Sequence, residues 1–450
     1  MTLRVRPRVL YWSLFSWMAI TGGRFLAPFL EHESEMTDSN IGFILGIQYA
    51  ILSVLAPYYG KYADAQERKY PNYGRGKVLA VGIIFGTISF LMHGINAFWD
   101  LPIFESLYFH YAVQVLYALN FAIIIPVVDG MTLDFLQKEQ GGSLDYGKER
   151  LHGAIGWGVT NMLLGPLIDK FGFPVYYPCC IVSAIYCIGS IFIYSNAQAQ
   201  AQAQTLKQKN DTECSDSNVP PRASYLQTDS LTEPNTGAIP SSLSLLLGVI
   251  SSSYGAAFVF CYFFMTLGFS VVENLVFLFF EFLGGSNTIC SITVVLTVIF
   301  EVPIFQIAPN LLRKHGVGWV LLLACITFWI RIVCYTLIPE GSTWMLLLIE
   351  PLHGFTYAGS QVAAVEYVNR NMPSGSEASG QGIVNLIRGS ANVIGLWLGG
   401  FLQDVFGPRV MYRVFVAAVT VGISVFATVR STHRQQEEGY RIVAEVIESA

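Results

Sequence analysis

The stretch VLAVGIIFGTISFLMHGINAF, residues 78–98, contains no Asp, Glu, Lys or Arg. As a helix rising about 1.5 Å per residue it reaches about 30 Å, the thickness of a bilayer's hydrocarbon layer. A barrel strand would be about half as long in residues and would alternate apolar with polar side chains, which this stretch does not. Working outward, comparable runs cover 9–30, 41–63, 107–128, 151–168 and 174–194. After a polar gap they resume at 254–282, 288–307, 317–338, 344–367, 381–402 and 410–429. The pattern predicts an all-α membrane protein with twelve transmembrane helices in two sets of six. Gly and Pro recur inside the runs, as in EVPIF and IEPLHG. Membrane helices tolerate them where neighbours re-satisfy the freed backbone groups.

Composition agrees. Of 450 residues 53% are hydrophobic and 13% charged, against about 25% charged in soluble domains. That excludes a large soluble enzyme, because so many apolar spans cannot all be core helices. The formal charge is −5 and the basic residues are spread along the flanks of the spans, so no nucleic-acid partner is expected. Most of the eight Cys lie within or beside spans, with no spacing that suggests zinc or a disulfide framework. No P-loop, nucleophile elbow or metal cluster is found, so neither an enzyme nor a cofactor is expected.

Lys and Arg set the orientation. The N-terminus carries Arg4, Arg6 and Arg8, and the second connection carries Lys61, Arg68, Lys69, Arg75 and Lys77. The connections EHESEMTDSN, INAFWDLPIFES, GGSN and IPEGST contain neither residue type. Both termini are therefore expected in the cytoplasm, with the plasma membrane the favoured location. The N-terminal bundle is expected over 1–195. A disordered cytoplasmic linker follows over 196–241, where NAQAQAQAQ leads into a polar, proline-containing segment. The C-terminal bundle then covers 242–430 and a cytoplasmic tail 431–450.

The halves echo each other. GPLIDKFG ends the fifth run and GGFLQDVFG the eleventh, while TDSNIGFILG lines up with GGSNTICSIT at the starts of the second and eighth. Such matches at equivalent places point to a duplicated six-helix unit. With GKYADAQERKYPNYGRGK at 60–77, the chain resembles the major facilitator superfamily, whose loop between helices two and three is marked here by Gly60, Asp64, Gly74 and Arg75. It resembles more closely the "MFS-associated/like" branch related to oligosaccharide:proton and nucleoside:proton symporters. YGKERLHGAIGWG, VVENLVFLFFEFLG, EVPIF, Arg331 and IEPLHGFTYA carry that likeness. The resemblance implies two pseudo-symmetric six-helix bundles working by alternating access. It also implies a proton-coupling network of Glu301, Arg331, Glu350 and His353.

The residues make the same region interesting on their own. An ionisable group at mid-bilayer costs on the order of 2.5–3.5 kcal/mol on insertion scales, so it needs partners or a wet cavity. Arg24, Glu273, Glu301, Arg331, Glu350 and His353 fall at similar depths on five spans, as expected of a shared cavity. Three carboxylates there face two arginines, which leaves one acid free to carry a proton. A Glu301–Arg331 pair that merely holds helices in register is the structural alternative. Tyr357 and Gln361 extend a polar stripe down the tenth span. Arg24, Gln48, Gln114, Asn120, Glu273, Asn274, Tyr357 and Gln361 are the candidate solute ligands, and Asp64, Arg75, Asp129 and Arg150 the candidate inner gate. The chain reads as a symporter of protons and a small polar solute, sugar- or nucleoside-like. A non-transporting scaffold or receptor, or a uniporter or exporter on the same fold, is the alternative.

Overall fold

The computed structural model describes residues 5–97, 99, 101–139, 143–215, 242–372 and 377–449. These residues form helices and no strand. In the first half α1 (Arg8–Thr21) and α2 (Leu26–Ser34) make one rod, broken between them. α3 (Asp38–Lys69) is continuous, and α4 (Gly74–Leu91) ends in a 3-10 turn, Met92–Ala97. α5 (Leu107–Phe121) and α6 (Ile124–Lys138) make another broken rod, followed by α7 (Ser143–Phe171) and α8 (Tyr176–Ser215). The second half begins with a short helix, α9 (Ser242–Val249). Its rods are α10 (Ser253–Asn274) with α11 (Val276–Phe282), α12 (Asn287–His315), α13 (Val317–Leu337), α14 (Leu346–Ile349) with α15 (Leu352–Arg370), α16 (Glu377–Phe406) and α17 (Pro408–Ser449).

The described residues make twelve rods, in two bundles of six. The breaks fall in rods one, four, seven and ten, which is the period expected if each bundle is itself a pair of three-helix repeats. Eight rods are long and apolar enough to cross a membrane by composition alone. The other four are rods one and ten, both broken, and rods five and eleven, which carry polar residues such as Asn161, Asn385, Arg388 and Asn392 along their length.

One expectation is overturned. Residues 196–215 are not a disordered linker: α8 continues through them as one helix. Ala and Gln are good helix formers, and a helix already started adds residues without a new nucleation cost. Asn196 and Gln198 are tied down, accepting from the Tyr73 hydroxyl at 3.0 Å and donating to the Val5 carbonyl at 3.1 Å. The rest of the expected linker, 216–241, lies outside the described residues. The tail likewise continues as helix, α17 running to Ser449.

The bundles meet chiefly along α3 with α16 and α7 with α12. Small residues permit the approach. A Cβ on Gly42 would overlap the Leu396 carbonyl, and one on Gly165 would overlap Ser291 and the Asn287 carbonyl. At the same face Trp397 donates to the Phe43 carbonyl at 3.0 Å, and His32 reaches Glu281 at 2.7 Å. The Asp169 carboxylate accepts from the backbone N–H groups of Asn287 and Thr288, each at 2.9 Å. Among the described residues, the hydrogen bonds that join the bundles lie at this face, opposite the chain termini, or at mid-height.

Candidate functional site

Three of the four helix breaks carry charged or amide side chains. Rod one breaks over Gly22–Phe25, where the GGRF sequence weakens helix propensity and leaves Arg24 on irregular backbone, 4% exposed. Rod seven breaks at Leu275, just after Glu273 and Asn274. Rod ten breaks at Glu350–Pro351, where proline has no N–H to give to the preceding turn. The fourth break, at Ala122–Ile123, is apolar. Breaks inside a membrane persist where they are buried in protein or line a cavity.

These breaks gather one cluster. Arg331, on the unbroken α13, donates to Glu350 Oε2 at 2.8 Å, and both side chains are fully buried. The Tyr335 hydroxyl donates to the other Glu350 oxygen. Arg331 also donates to His353 Nδ1 at 2.9 Å. A guanidinium has only donors, so that ring nitrogen is an acceptor and carries no proton in this arrangement. Its 3.4 Å approach to Glu273 is therefore proximity, not an ion pair. Arg24 reaches across from the first bundle: one terminal nitrogen lies 2.7 Å from Glu273, and the other 3.6 Å from Glu350 with no hydrogen bond. Five expected residues are thus brought together, by contacts that run between the bundles as well as within one.

Glu301 is not among them. It is half-buried on α12 and makes no direct hydrogen bond or ion pair with a described residue. The Glu301–Arg331 pair weighed from the sequence does not form; the two terminal nitrogens of Arg331 go to His353 and Glu350 instead. The expected charge count also needs correction. A third arginine, Arg388 on α16, stands at the same level, its guanidinium carbon 5.4 Å from the centre of the Tyr357 ring. It shares its electrostatic surroundings with Tyr262 and Tyr49. Three acids therefore face three arginines, and the excess of carboxylates inferred from sequence is not there. Arg388 was missed because its neighbours Asn385, Ser390 and Asn392 make that segment read as an ordinary polar helix face.

The candidate solute ligands separate by environment. Tyr357 is half-buried and stacks on Phe269 at 5.7 Å. Gln361 accepts from the Tyr262 hydroxyl at 3.2 Å, and Asn274 accepts from the Tyr49 hydroxyl at 3.3 Å. The three tyrosines Tyr357, Tyr262 and Tyr49 act electrostatically on Arg388, and Arg388 in turn on Glu301. In the first bundle the expectation fails for Gln114, which is fully buried. Its amide donates to Gln48 at 2.9 Å and accepts at 3.2 Å from His93, and no part of the side chain is open to a solute. Asn120 turns back to donate to the Leu116 carbonyl of its own helix at 2.8 Å. His93 and His110, 3.0 Å apart, extend the Gln114 chain to Ser34. Neither imidazole had been singled out, since both lie near the ends of apolar runs.

The four candidate gating residues pair, but inside the first bundle. Arg75 holds Asp64 at 2.7 Å and also Asp134, joining α3, α4 and α6 beside a depression of about 320 Å³ that lies far from the central cluster in sequence and contacts. Arg150 lies 3.4 Å from Asp129, whose other oxygen accepts from the Tyr11 hydroxyl at 2.6 Å. Nearby, Glu149 accepts from the Arg8 backbone N–H at 2.8 Å and the Arg6 side chain at 2.6 Å, which closes the start of α1. These contacts fasten neighbouring rods of one bundle to each other.

Comparison with known proteins places this architecture. The sequence pattern of the MFS_1 like family matches residues 8–414. An uncharacterized transporter, YwbF, of Bacillus subtilis (strain 168) is 22% identical over 395 residues, covering 87% of this chain and 84% of that protein. A maltose permease of Geobacillus stearothermophilus is 21% identical over 418 residues, covering 92% and 91%. The crystal structure of the nucleoside transporter NupG superposes with a TM-score of 0.67 at 13% identity, covering 95% of this chain and 99% of that one.

Proposed function

The chain belongs to the MFS_1 like family, and from that premise we propose that it carries a small polar organic solute together with protons by alternating access. The observation that carries this reading is the Arg24 contact. One arginine of the first bundle is divided between Glu273 and Glu350 of the second, inside a buried cluster built on helix breaks. Two bodies that rock against each other need a contact whose strength depends on what is bound. Shared charges at mid-height supply it, since adding or removing a proton or solute charge changes the attraction between the bundles.

Within the cluster the roles divide. Glu350 is held by Arg331 and Tyr335 and orients the arginines. Glu301, half-buried and without a direct partner, is the acid free to gain and lose a proton. Glu273 and Arg24, which make the contact between the bundles, act on it electrostatically, as do Arg388 and Arg150. The Lys- and Arg-rich connections support a cytoplasmic location for the chain termini; on that reading the face at which the bundles are joined is the outer one. The arrangement is closed to the outside. A maltose permease and a nucleoside transporter among the similar proteins favour a solute of sugar or nucleoside size.

The test is uptake of labelled maltose, uridine and D-glucuronate into proteoliposomes under an imposed pH gradient, acid outside. Wild type should accumulate at least one of them. The Glu301→Gln protein should still exchange that solute across the membrane but no longer concentrate it. Accumulation by Glu301→Gln as steep as wild type would remove Glu301 from coupling. Failure of wild type to move any of the three would reject the reading.

A further inference from the structure

Each charge near the centre of the molecule can be paired in turn, and two remain. Arg24 stands with Glu273, Arg331 with Glu350, and Arg150 with Asp129. His353 accepts from Arg331 and adds no charge. Arg388 and Glu301 are left over, and neither forms an ion pair with a described residue. Arg388 is surrounded by tyrosines instead. Tyr357 lies under its guanidinium, and Tyr262 and Tyr49 are close enough to interact electrostatically, one from each bundle. Two of these three hydroxyls are already engaged, with Gln361 and Asn274. An aromatic wall attracts a cation but does not neutralise it.

The balance depends on Glu301. With Glu301 ionised, the leftover pair sums to zero. With a proton on Glu301, the site carries one uncompensated positive charge, located on Arg388. A neutral sugar or nucleoside would leave that charge buried and open at the moment the bundles must close over it, which is costly in low dielectric. A solute bearing one negative charge would cancel it. We propose that Arg388 is the docking cation for a monoanionic organic acid, carried together with one proton on Glu301. Its fork of donors accepts a carboxylate in two parallel hydrogen bonds. The Tyr357 face and the amides of Gln361 and Asn274 then meet the uncharged body of the solute. No net charge moves in the loaded state.

This inference rests on the transport reading and can fail separately from it. The experiment compares D-glucuronate with D-glucose, which share a pyranose ring and differ in the carboxylate, and adds benzoate as a second monoanion. In proteoliposomes with acid outside, D-glucuronate or benzoate should enter saturably and D-glucose should not. The initial rate should be indifferent to a potassium–valinomycin diffusion potential, because one proton and one anion cross together. Arg388→Gln should raise KM by about tenfold or more, the scale of one charge-assisted hydrogen bond, while Arg388→Lys should retain part of the affinity. Thermal unfolding of both variants in detergent separates lost folding from lost recognition, and the Lys variant keeps the test open if the Gln variant does not fold. Uptake of D-glucose with a KM unchanged in Arg388→Gln would overturn the inference while leaving the transporter in place. So would anion uptake driven by the membrane potential, and so would failure of both acids to enter vesicles that do accumulate maltose or uridine.

Discussion

The two bundles bury polar side chains in different ways. In the first, Ser34, His110, His93, Gln114 and Gln48 form a chain in which each group bonds to the next, at distances from 2.9 to 3.2 Å. Trp17 donates to Thr87 at 3.0 Å and Tyr117 to Thr21 at 2.9 Å in the same manner. These contacts hold the rods in register and none needs a visitor. The second bundle buries ions, shares Arg24 with its partner, and leaves Glu301 and Arg388 without direct counter-charges. Satisfied neutral groups cost little inside a membrane protein, whereas open charges are retained at a price in stability. The contrast assigns scaffolding to one half and the responsive chemistry to the other.

The harshest way to break that contrast is Arg331→Met, which leaves the fully buried Glu350 with the Tyr335 hydroxyl and the more distant Arg24, 3.6 Å away. Stranding one member of a buried pair costs about 3–5 kcal/mol, whereas replacing both members with apolar groups is often neutral. The single variant should unfold at clearly lower temperature in detergent. The double variant, Arg331→Met with Glu350→Leu, should regain most of that stability and still fail to accumulate solute. Transport by the double variant at the wild-type rate would reduce the cluster to a structural pin.

A smaller effect is expected in the first bundle. Gln114→Leu removes the partner of both Gln48 and His93, at about 1–3 kcal/mol for each buried polar group left open. Thermal stability should fall, and KM should not change, because the Gln114 side chain has no surface exposed to a solute. A raised KM with unaltered stability would move recognition into the first bundle and end the division of labour.

How much of this could be read from sequence follows the same divide. Arg24, Glu273, Arg331, Glu350 and His353 stand out because each interrupts an apolar run, and burial then forces them to find one another. Helix breaks at GGRF and IEPLHG are visible as Gly and Pro. Arg388 is camouflaged by its polar neighbours, and only the packing of α16 against α3 shows that this face is interior. The Gln114 amide looked available for the same reason: sequence gives its depth in the membrane but not the two partners that occupy it. The Ala–Gln alternation after Asn196 has the composition of a linker and the propensity of a helix, and attachment to the end of α8 decides between them.

The mildest prediction concerns two carboxylates at matching places, Asp169 near the end of α7 and Asp404 near the end of α16. Asp169 caps the start of α12 across the bundle boundary, with three donors from Asn287 and Thr288 at 2.6–2.9 Å. Asp404 has no such role. It lies near Asp38, which accepts from Gln403, and α3 is capped by its own Thr37. One contact between the bundles is therefore held by a carboxylate on a helix N-terminus, while its counterpart sets two like charges side by side. Burial pushes the Asp169 carboxyl upward, but its hydrogen bonds to Thr288 and Asn287 outweigh that and hold it below the usual carboxylate range. Its stabilising effect is thus complete above the unfolded value of about 3.9 and is lost only as pH falls through the lower folded value. Removing its charge by Asp169→Asn should cost about 0.3–1 kcal/mol of closure, the range for a charge at a helix terminus. Cys290, on α12 one turn beyond the capped residues and 3% exposed, reports the opening. Maleimide labelling there, read by mass spectrometry, should speed up in Asp169→Asn and stay the same or slow down in Asp404→Asn. Between pH 5 and 8 the wild-type rate, corrected for the thiolate fraction, should not depend on the titration of Asp169. A pH dependence that disappears in Asp404→Asn would transfer control of this closure to the acidic pair, and with it the sensitive element from the α7–α12 contact to the α3–α16 one.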